Sequence, residues 1–307
     1  MVVVKNQRET SRLFDVHADD YALSIHASRE IIQCIKDGKI DSISVMPNMS
    51  CFDQAIEMLK SNVPPEKMPK YSVHLNLMEG HCLSMPSDVP DLVDERGYFK
   101  VSWGSLVAGS LLIGSKRKLL KEQIKKEFKC QIEQIKGKLY PEWSVRIDSH
   151  QHTHMIPIVF DALVEVVREE QYDLEYIRVP EEPQWPFIKN VSLWFTYSPI
   201  NAVKNVVLNL FAKRNRRVIR ELGLPYNLLW GLLFSGKMDE ARVEKIWPDM
   251  MRYIERRGRM LEILFHPGRV LKEEIGAEYV KRGFIDFHLS ENREIEKKAI
   301  YWGIKNE

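Results

Sequence analysis

The run Val145-Arg146-Ile147-Asp148-Ser149-His150-Gln151-His152-Thr153-His154 places three imidazoles at alternate positions behind a short apolar stretch. Such a cluster adds little stability, because imidazoles pack poorly and lose water on burial. Neutral imidazole is the commonest metal ligand among side chains, so the run points to a metal site. A solvated loop carrying three histidines is the plainer alternative, since a His-rich tract is only a compositional hint. Three further stretches end in ionisable groups. Asp19 and Asp20 follow Leu13–His17, His74 and Asn76 alternate with Val73, Leu75 and Leu77, and His266 follows Leu261–Phe265. Each has a bland reading as well: paired carboxylates favour helix starts, and His-Pro-Gly is a common turn. If the stretches are parallel strands, their carboxyl ends converge in space although they lie far apart in sequence. One carboxylate with two imidazoles is a sound donor set for a divalent ion, with positions left open for water. Zinc suits such ligands, and magnesium would need more coordinating water. A histidine at the end of a late strand can act as a general acid or base.

The elements that would position these groups follow a strand–helix rhythm. Leu13–His17 reads as the first strand. Ser24 is placed to cap a helix over Ile25–Asp37, with Ile31, Ile32 and Ile35 at helical spacing and Gly38 as the stop. Ile43–Met46 and Tyr71–Leu77 are the next strands, with a helix between them marked by Phe52, Ala55, Ile56 and Leu59. This alternation predicts an α/β fold with a parallel sheet or barrel. Residues 78–105 read as a long loop behind a strand, a place where α/β proteins carry function. Lys116–Lys138 reads as an amphipathic helix outside the sheet, with its charges forming a solvated face. After the histidines come a helix over Ile158–Glu170 and a strand over Glu175–Val179. Residues 181–236 are irregular at first, then basic and amphipathic over Ala202–Leu222. That helix is expected to pack its apolar face on its own domain, with a membrane surface or a partner as the alternative. A helix over Glu240–Arg257, the strand Leu261–Phe265 and a last helix capped by Ser290 and ending near Tyr301 complete the chain.

Composition narrows the class. The 307 residues carry 45 basic and 43 acidic side chains, a net charge of +2 that argues against a dedicated nucleic-acid binder. Cys34, Cys51, Cys82 and Cys130 lie far apart, which fits neither a disulfide framework nor a zinc knuckle and suits a cytoplasmic protein with reduced thiols. The apolar run within Met1–Arg8 is too short for a signal peptide. No stretch reaches the roughly 18 apolar residues of a membrane span. No repeat or low-complexity linker appears, so residues 1–307 are expected to form a single domain with an irregular insertion around 181–235.

Ala18-Asp19-Asp20-Tyr21-Ala22-Leu23-Ser24, His74-Leu75-Asn76-Leu77-Met78-Glu79-Gly80, Asp148-Ser149-His150-Gln151-His152-Thr153-His154 and Phe265-His266-Pro267-Gly268 occur in this order. Together they resemble the YdjC-like carbohydrate deacetylases, the family that includes the ChbG-type chitooligosaccharide deacetylases. The resemblance runs from about Phe14 to the last helix. It implies a distorted (β/α) barrel of the polysaccharide-deacetylase or glycoside hydrolase-deacetylase type. The implied activity is metal-dependent hydrolysis of the N-acetyl group of a small acetylated sugar or oligosaccharide, with one divalent ion, magnesium or zinc. The resemblance also implies that Asp20, His74 and His150 hold the metal, that Asp19 is the base that activates water, and that His266 protonates the leaving amine. Asn76, His152, His154 and Arg178 are then candidates to touch substrate or to support the ligands. The chain departs from the family at His17, where Asn is usual, and at Tyr21-Ala22, where Phe-Gly is usual; the second change removes backbone freedom beside Asp20. The tryptophans of 181–235 are expected in the core or at a homodimer contact, with stacking on sugar rings as the alternative. Competing functions are an amidase or esterase acting on a non-sugar acyl group, and a non-catalytic sugar-binding protein.

Overall fold

The computed structural model describes residues 13–139, 144–279 and 281–302; the Met1–Arg8 segment considered above lies outside them. Seven strands form one parallel sheet: β1 (Phe14–Tyr21), β2 (Ser42–Val45), β3 (Lys70–Leu75), β4 (Val145–Ser149), β5 (Leu174–Ile177), β6 (Leu228–Trp230) and β7 (Leu261–Phe265). Their spatial order is β5-β4-β3-β2-β1-β7-β6. The sheet curls until its two edges approach. Tyr176 on β5 donates from its hydroxyl to Glu262 on β7 at 2.7 Å, across the inside. Beyond β5, the carbonyl of Glu181 accepts from the Leu229 amide of β6 at 3.0 Å. The result is an incompletely closed (β/α) barrel, as the resemblance implied. Val16, Ile43, Val73, Ile147, Ile177 and Ile263 are buried β-branched residues of these strands, which suits a sheet covered on both faces.

Helices α1 (Ile25–Lys36), α2 (Phe52–Asn62), α3 (Trp103–Gly109), α4 (Gly114–Lys138) and α5 (Pro157–Glu169) pack outside, followed by the short α6 (Trp185–Lys189), then α7 (Pro199–Glu221), α8 (Glu240–Arg257), α9 (Arg282–Leu289) and α10 (Asn292–Trp302). Ser24 caps α1 as the sequence predicts: its side chain accepts from the Ala27 amide at 3.1 Å. Ser290 does something else. Its hydroxyl donates to the Phe287 carbonyl at 2.7 Å and closes α9, while the Glu291 carbonyl accepts from the Glu294 and Ile295 amides of α10. The charges of α4 also differ from the expected solvated face. Glu127 is buried and accepts from the amides of Leu83 and Ser84, each at 3.0 Å. Gln131 accepts from the Asn76 amide at 2.8 Å and donates to its carbonyl at 2.7 Å. These bonds anchor the loop after β3, whose own backbone groups have no strand partner there.

β1 runs four residues beyond the expected His17, so Asp19 and Asp20 sit inside the strand end. In a regular strand these neighbours would face opposite sides. Instead the β1–β2 register shifts between Ala18 and Tyr21, and Asp20 takes a left-handed φ of 66°. A bulge of this kind re-aims side chains, and here both carboxylates reach groups that also touch Asp148.

Candidate active site

The carboxyl ends of β1, β3 and β4 meet as the spacing predicts. Asp20 Oδ1 lies 3.0 Å from His150 Nδ1 and 3.4 Å from His74 Nε2. The ligand atoms of these three buried residues all fall within 4.8 Å of one another. Asp148 orients His74: its Oδ1 lies 2.6 Å from His74 Nδ1, which leaves Nε2 facing Asp20. A carboxylate behind an imidazole is the usual support of a metal-binding histidine. Arg293 of α10 donates to Asp20 Oδ2, so Asp20 has one oxygen left for the cluster.

Asp19 belongs to a neighbouring cluster with His17 and Asp148. A cation already occupies it. The buried guanidinium of Arg178 donates to both oxygens of Asp19, at 2.9 and 3.0 Å, and lies 3.2 Å from Asp148 and 2.6 Å from Glu262. Arg178 is therefore a support beneath the site and has no exposed surface to offer a substrate. His17, where the family usually has Asn, sits between Ser42 and Ser44, each hydroxyl 2.6 Å from a ring nitrogen, and lies 3.1 Å from Asp19 Oδ1. Ala22, where the family usually has Gly, takes a left-handed φ of 69°, which an L-residue adopts at a cost.

The three alternating histidines part company in space. Gln151 and His152 are both left-handed, with φ of 56° and 57°, so His150–Met155 winds as a kinked 3-10 segment rather than continuing the strand. Only His150 enters the cluster. His154 lies with Nδ1 2.6 Å from Ser149 Oγ and Nε2 2.8 Å from the Arg178 carbonyl, so both ring nitrogens are bonded within the fold. His152 is buried and its Nδ1 has no hydrogen-bond partner. Asn76 organises the loop after β3: its Oδ1 accepts from the Met78 and Glu79 amides, and its Nδ2 donates to the Glu79 carbonyl and to Asn48. It thereby positions Glu79, a residue that sequence reasoning passed over. Glu79 Oε2 lies 3.4 Å from His150 Nε2 and 2.8 Å from His288 Nε2.

His266 stands at the end of β7. The pairing of Ala18 with Phe265 sets it level with Asp19 on the adjoining strand. Its amide donates to Glu296 Oε2 at 2.7 Å, and its Nδ1 lies 3.1 Å from the same oxygen. Glu296, like Arg293, comes from α10 and was not singled out from the sequence. A signal existed: Arg293 and Glu296 share the α10 face of the buried Ala299 and Ile300, and charged residues on a core-facing stripe call for partners.

The electrostatics favour a cation. Asp19, Asp20, Asp148, Glu79 and Glu262 are buried together against two guanidinium groups. Burial pushes carboxyl groups up, yet Arg178 and then His74 hold Asp19 well below the usual carboxylate range, and Arg293 and then His150 do the same for Asp20. Burial would lower the imidazoles, but Asp19 and Asp148 raise His74 to about 10, and Asp20 chiefly raises His150. The cluster thus attracts positive charge at the nitrogens a metal would use. Away from it the sign reverses: burial, then Arg178 and Lys204, hold His152 well below the usual imidazole range, and burial takes His154 down to about 4.

A family model described as "YdjC-like protein" matches residues 15–300. Among similar proteins, the carbohydrate deacetylase of Thermoanaerobacter pseudethanolicus is 30% identical over 167 residues, which cover 54% of this chain and 59% of that one. That of Clostridium beijerinckii is 28% identical over 177 residues, covering 58% and 65%. That of Oceanobacillus iheyensis is 26% identical over 211 residues, covering 68% and 81%. The matched stretch thus spans about three fifths of the first two relatives. A solved structure from Enterococcus faecalis, a candidate cellobiose-phosphate cleavage protein, superposes with a TM-score of 0.60 at 18% identity over 95% of both chains, and so shares the fold. With a family match over nearly its whole length, and with the motifs of that match meeting at the strand ends, the chain belongs to the YdjC-like family.

Proposed function

We propose that the chain is a metal-dependent hydrolase that removes the N-acetyl group from a small acetylated sugar, of which a chitooligosaccharide is the first candidate. The observation that carries this reading is the convergence of Asp20, His74 and His150 beside Asp19, with His266 on the adjoining strand. The residues present fit a divalent ion. One carboxylate oxygen and two imidazole nitrogens face one another, the remaining Asp20 oxygen and His74 nitrogen are held by Arg293 and Asp148, and the surrounding charge is negative. A divalent ion held by Asp20, His74 and His150 would acidify water and polarise an amide carbonyl. This nitrogen-rich set suits zinc better than magnesium.

The chain's own groups divide the proton work. Arg178 keeps Asp19 a carboxylate beside the cluster, and we assign it the proton of the attacking water. An amine is a poor leaving group until protonated. His266 supplies that proton from Nε2, while Glu296 holds the ring at Nδ1. The unbonded Nδ1 of the buried His152 supports a role for it in holding the substrate. Relatives named carbohydrate deacetylase support a sugar as the acyl carrier.

The test is acetate release from N-acetylglucosamine oligomers of increasing length, after chelation and re-addition of zinc, magnesium or cobalt. Metal-dependent release is expected. Asp19→Asn and His266→Ala should each lower kcat/KM by about 10²–10⁴ while the variants still bind metal. A folded, metal-loaded chain that releases no acetate from any of a broad panel of acetylated sugars would rule the reading out.

A further inference from the structure

Half of the exposed large apolar side chains among the described residues, nine of 18, fall within residues 185–210, and four more within 111–119. Monomers usually scatter such residues singly, and a contiguous set marks a docking surface. The two sets adjoin. Trp103 of α3 stacks on Phe211 of α7 with ring centroids 6.0 Å apart. Asp161 of α5 takes Arg117 from α4 at 2.7 Å and Arg214 from α7 at 3.2 Å. On α7 the inward stripe is Asn205, Leu208, Ala212, Asn215 and Ile219. The outward stripe begins apolar, with Val203, Val206 and Leu210, and ends basic, with Lys213, Arg217 and Arg220. Phe195, wholly exposed, and Trp194, half exposed, stand just ahead of the helix. The expected packing of α7 on its own domain thus accounts for one of its apolar stripes and leaves the other uncovered.

Charge decides what fits this face. Residues 103–121 and 185–220 together carry eleven Lys and Arg and no Asp or Glu. Removing those eleven from the chain's 45 basic side chains leaves 34 against 43 acidic ones, so the rest of the molecule is net negative. Acids bordering the face, Asp161, Glu165, Glu181, Glu221 and Asp249, already pair with six of these cations, so two copies pressed together here would oppose Lys116, Lys118, Lys213 and Arg220 with one another. An anionic bilayer supplies both complements: an acyl boundary for the aromatic and aliphatic groups, and phosphates for the cations. We propose that this face docks on the surface of an anionic lipid bilayer, with α7 lying in the plane of the interface. No described helix is long and apolar enough to cross a membrane, so the docking is peripheral. The helix that carries this face reaches the candidate site from its other side, where Asn215 of the inward stripe donates to the carbonyl of Met155, the last residue of the segment carrying His150, at 3.0 Å. The inference concerns a surface and stands apart from the reaction proposed above.

Sedimentation of the full chain with phosphatidylcholine–phosphatidylglycerol vesicles, and with phosphatidylcholine alone, tests it. Binding to the anionic vesicles is expected, released by added salt and accompanied by a blue shift of tryptophan emission. Lys213→Glu should weaken binding roughly tenfold, and Phe195→Ser combined with Val206→Ser should abolish it. All three side chains are exposed, so circular dichroism should show each variant folded. A folded chain that ignores anionic vesicles, or binds neutral ones equally well, overturns the proposal. So does a dimer in sedimentation velocity that Phe195→Ser dissociates without any vesicle binding, which would make the face a self-association surface.

Discussion

Asp148 shows how one residue can settle the chemistry of another. Its Oδ1 beside His74 Nδ1 fixes which nitrogen His74 presents, and its Oδ2 takes the Ser44 hydroxyl and faces Arg178. Asp148→Asn keeps the shape but can offer an amide N–H where a carboxylate stood. It should weaken divalent-ion binding by about 10–100-fold, measured by competition with a chromogenic chelator; unchanged affinity would remove Asp148 from the support. Arg178 is the matching cation. Three carboxylates face its buried guanidinium, so Arg178→Met leaves them uncompensated and should cost roughly 3–5 kcal/mol of stability. A urea midpoint shift reads that loss, and a shift no larger than that of a surface substitution would refute it.

At the scale of elements, a carboxylate joins the Glu181–Leu229 backbone bond in closing the gap between β5 and β6. Glu182 accepts from the amides of Gly231, Leu232 and Leu233 at 2.7, 3.0 and 2.9 Å and takes the Asn205 amide of α7 as well. Burial nevertheless raises it to about 7. The folded chain then holds this proton more tightly than the unfolded chain, whose glutamate titrates near 4.5. Its contribution is fully present below about 4.5 and is lost as pH rises through about 7, an effect on the order of 3 kcal/mol. Unfolding free energies at pH 5 and pH 8 should therefore fall more steeply for the wild-type chain than for Glu182→Gln; equal slopes would contradict the argument. Gly231 guards the same junction. Its φ is 140°, and a Cβ there would sit 2.6 Å from the Leu264 carbonyl of β7. Gly231→Ala should cost roughly 2–3 kcal/mol by forcing the two strands apart, again read from the denaturant midpoint.

Across the whole molecule, charge is sorted by place. Carboxylates gather inside the barrel end, beneath Arg178 and Arg293, while cations gather on the outer face of α7 and the α3–α4 corner. A divalent ion at 100 times its dissociation constant would add about 2.7 kcal/mol, so zinc should raise the melting temperature of the chain and leave that of Asp20→Asn unmoved. A rise of equal size in the variant would place the binding elsewhere.

The strand–helix alternation, the Ser24 cap and the polar strand ends are local in origin. Apolar period, capping chemistry and polar strand ends are written in consecutive residues, so the sequence by itself determined the α/β class and the meeting of the polar strand ends, while the choice of Asp20, His74 and His150 among them came from the family resemblance. Other features depend on chain segments meeting. Asp19 and Asp20 can both serve the site only because a bulge and a left-handed residue break the strand's alternation, and no periodicity announces that. The same holds for the separation of His150 from His152 and His154, which two left-handed residues produce. Glu79, Arg293 and Glu296 join the site from a loop and from α10, the latter more than 270 residues from Asp20 along the chain. The apolar residues of α7 and its approach are ambiguous by pattern alone, since both of its stripes contain aliphatic side chains. Only the barrel's closure decided which stripe was buried, because a helix can turn one face to a core and must leave the other to whatever lies outside.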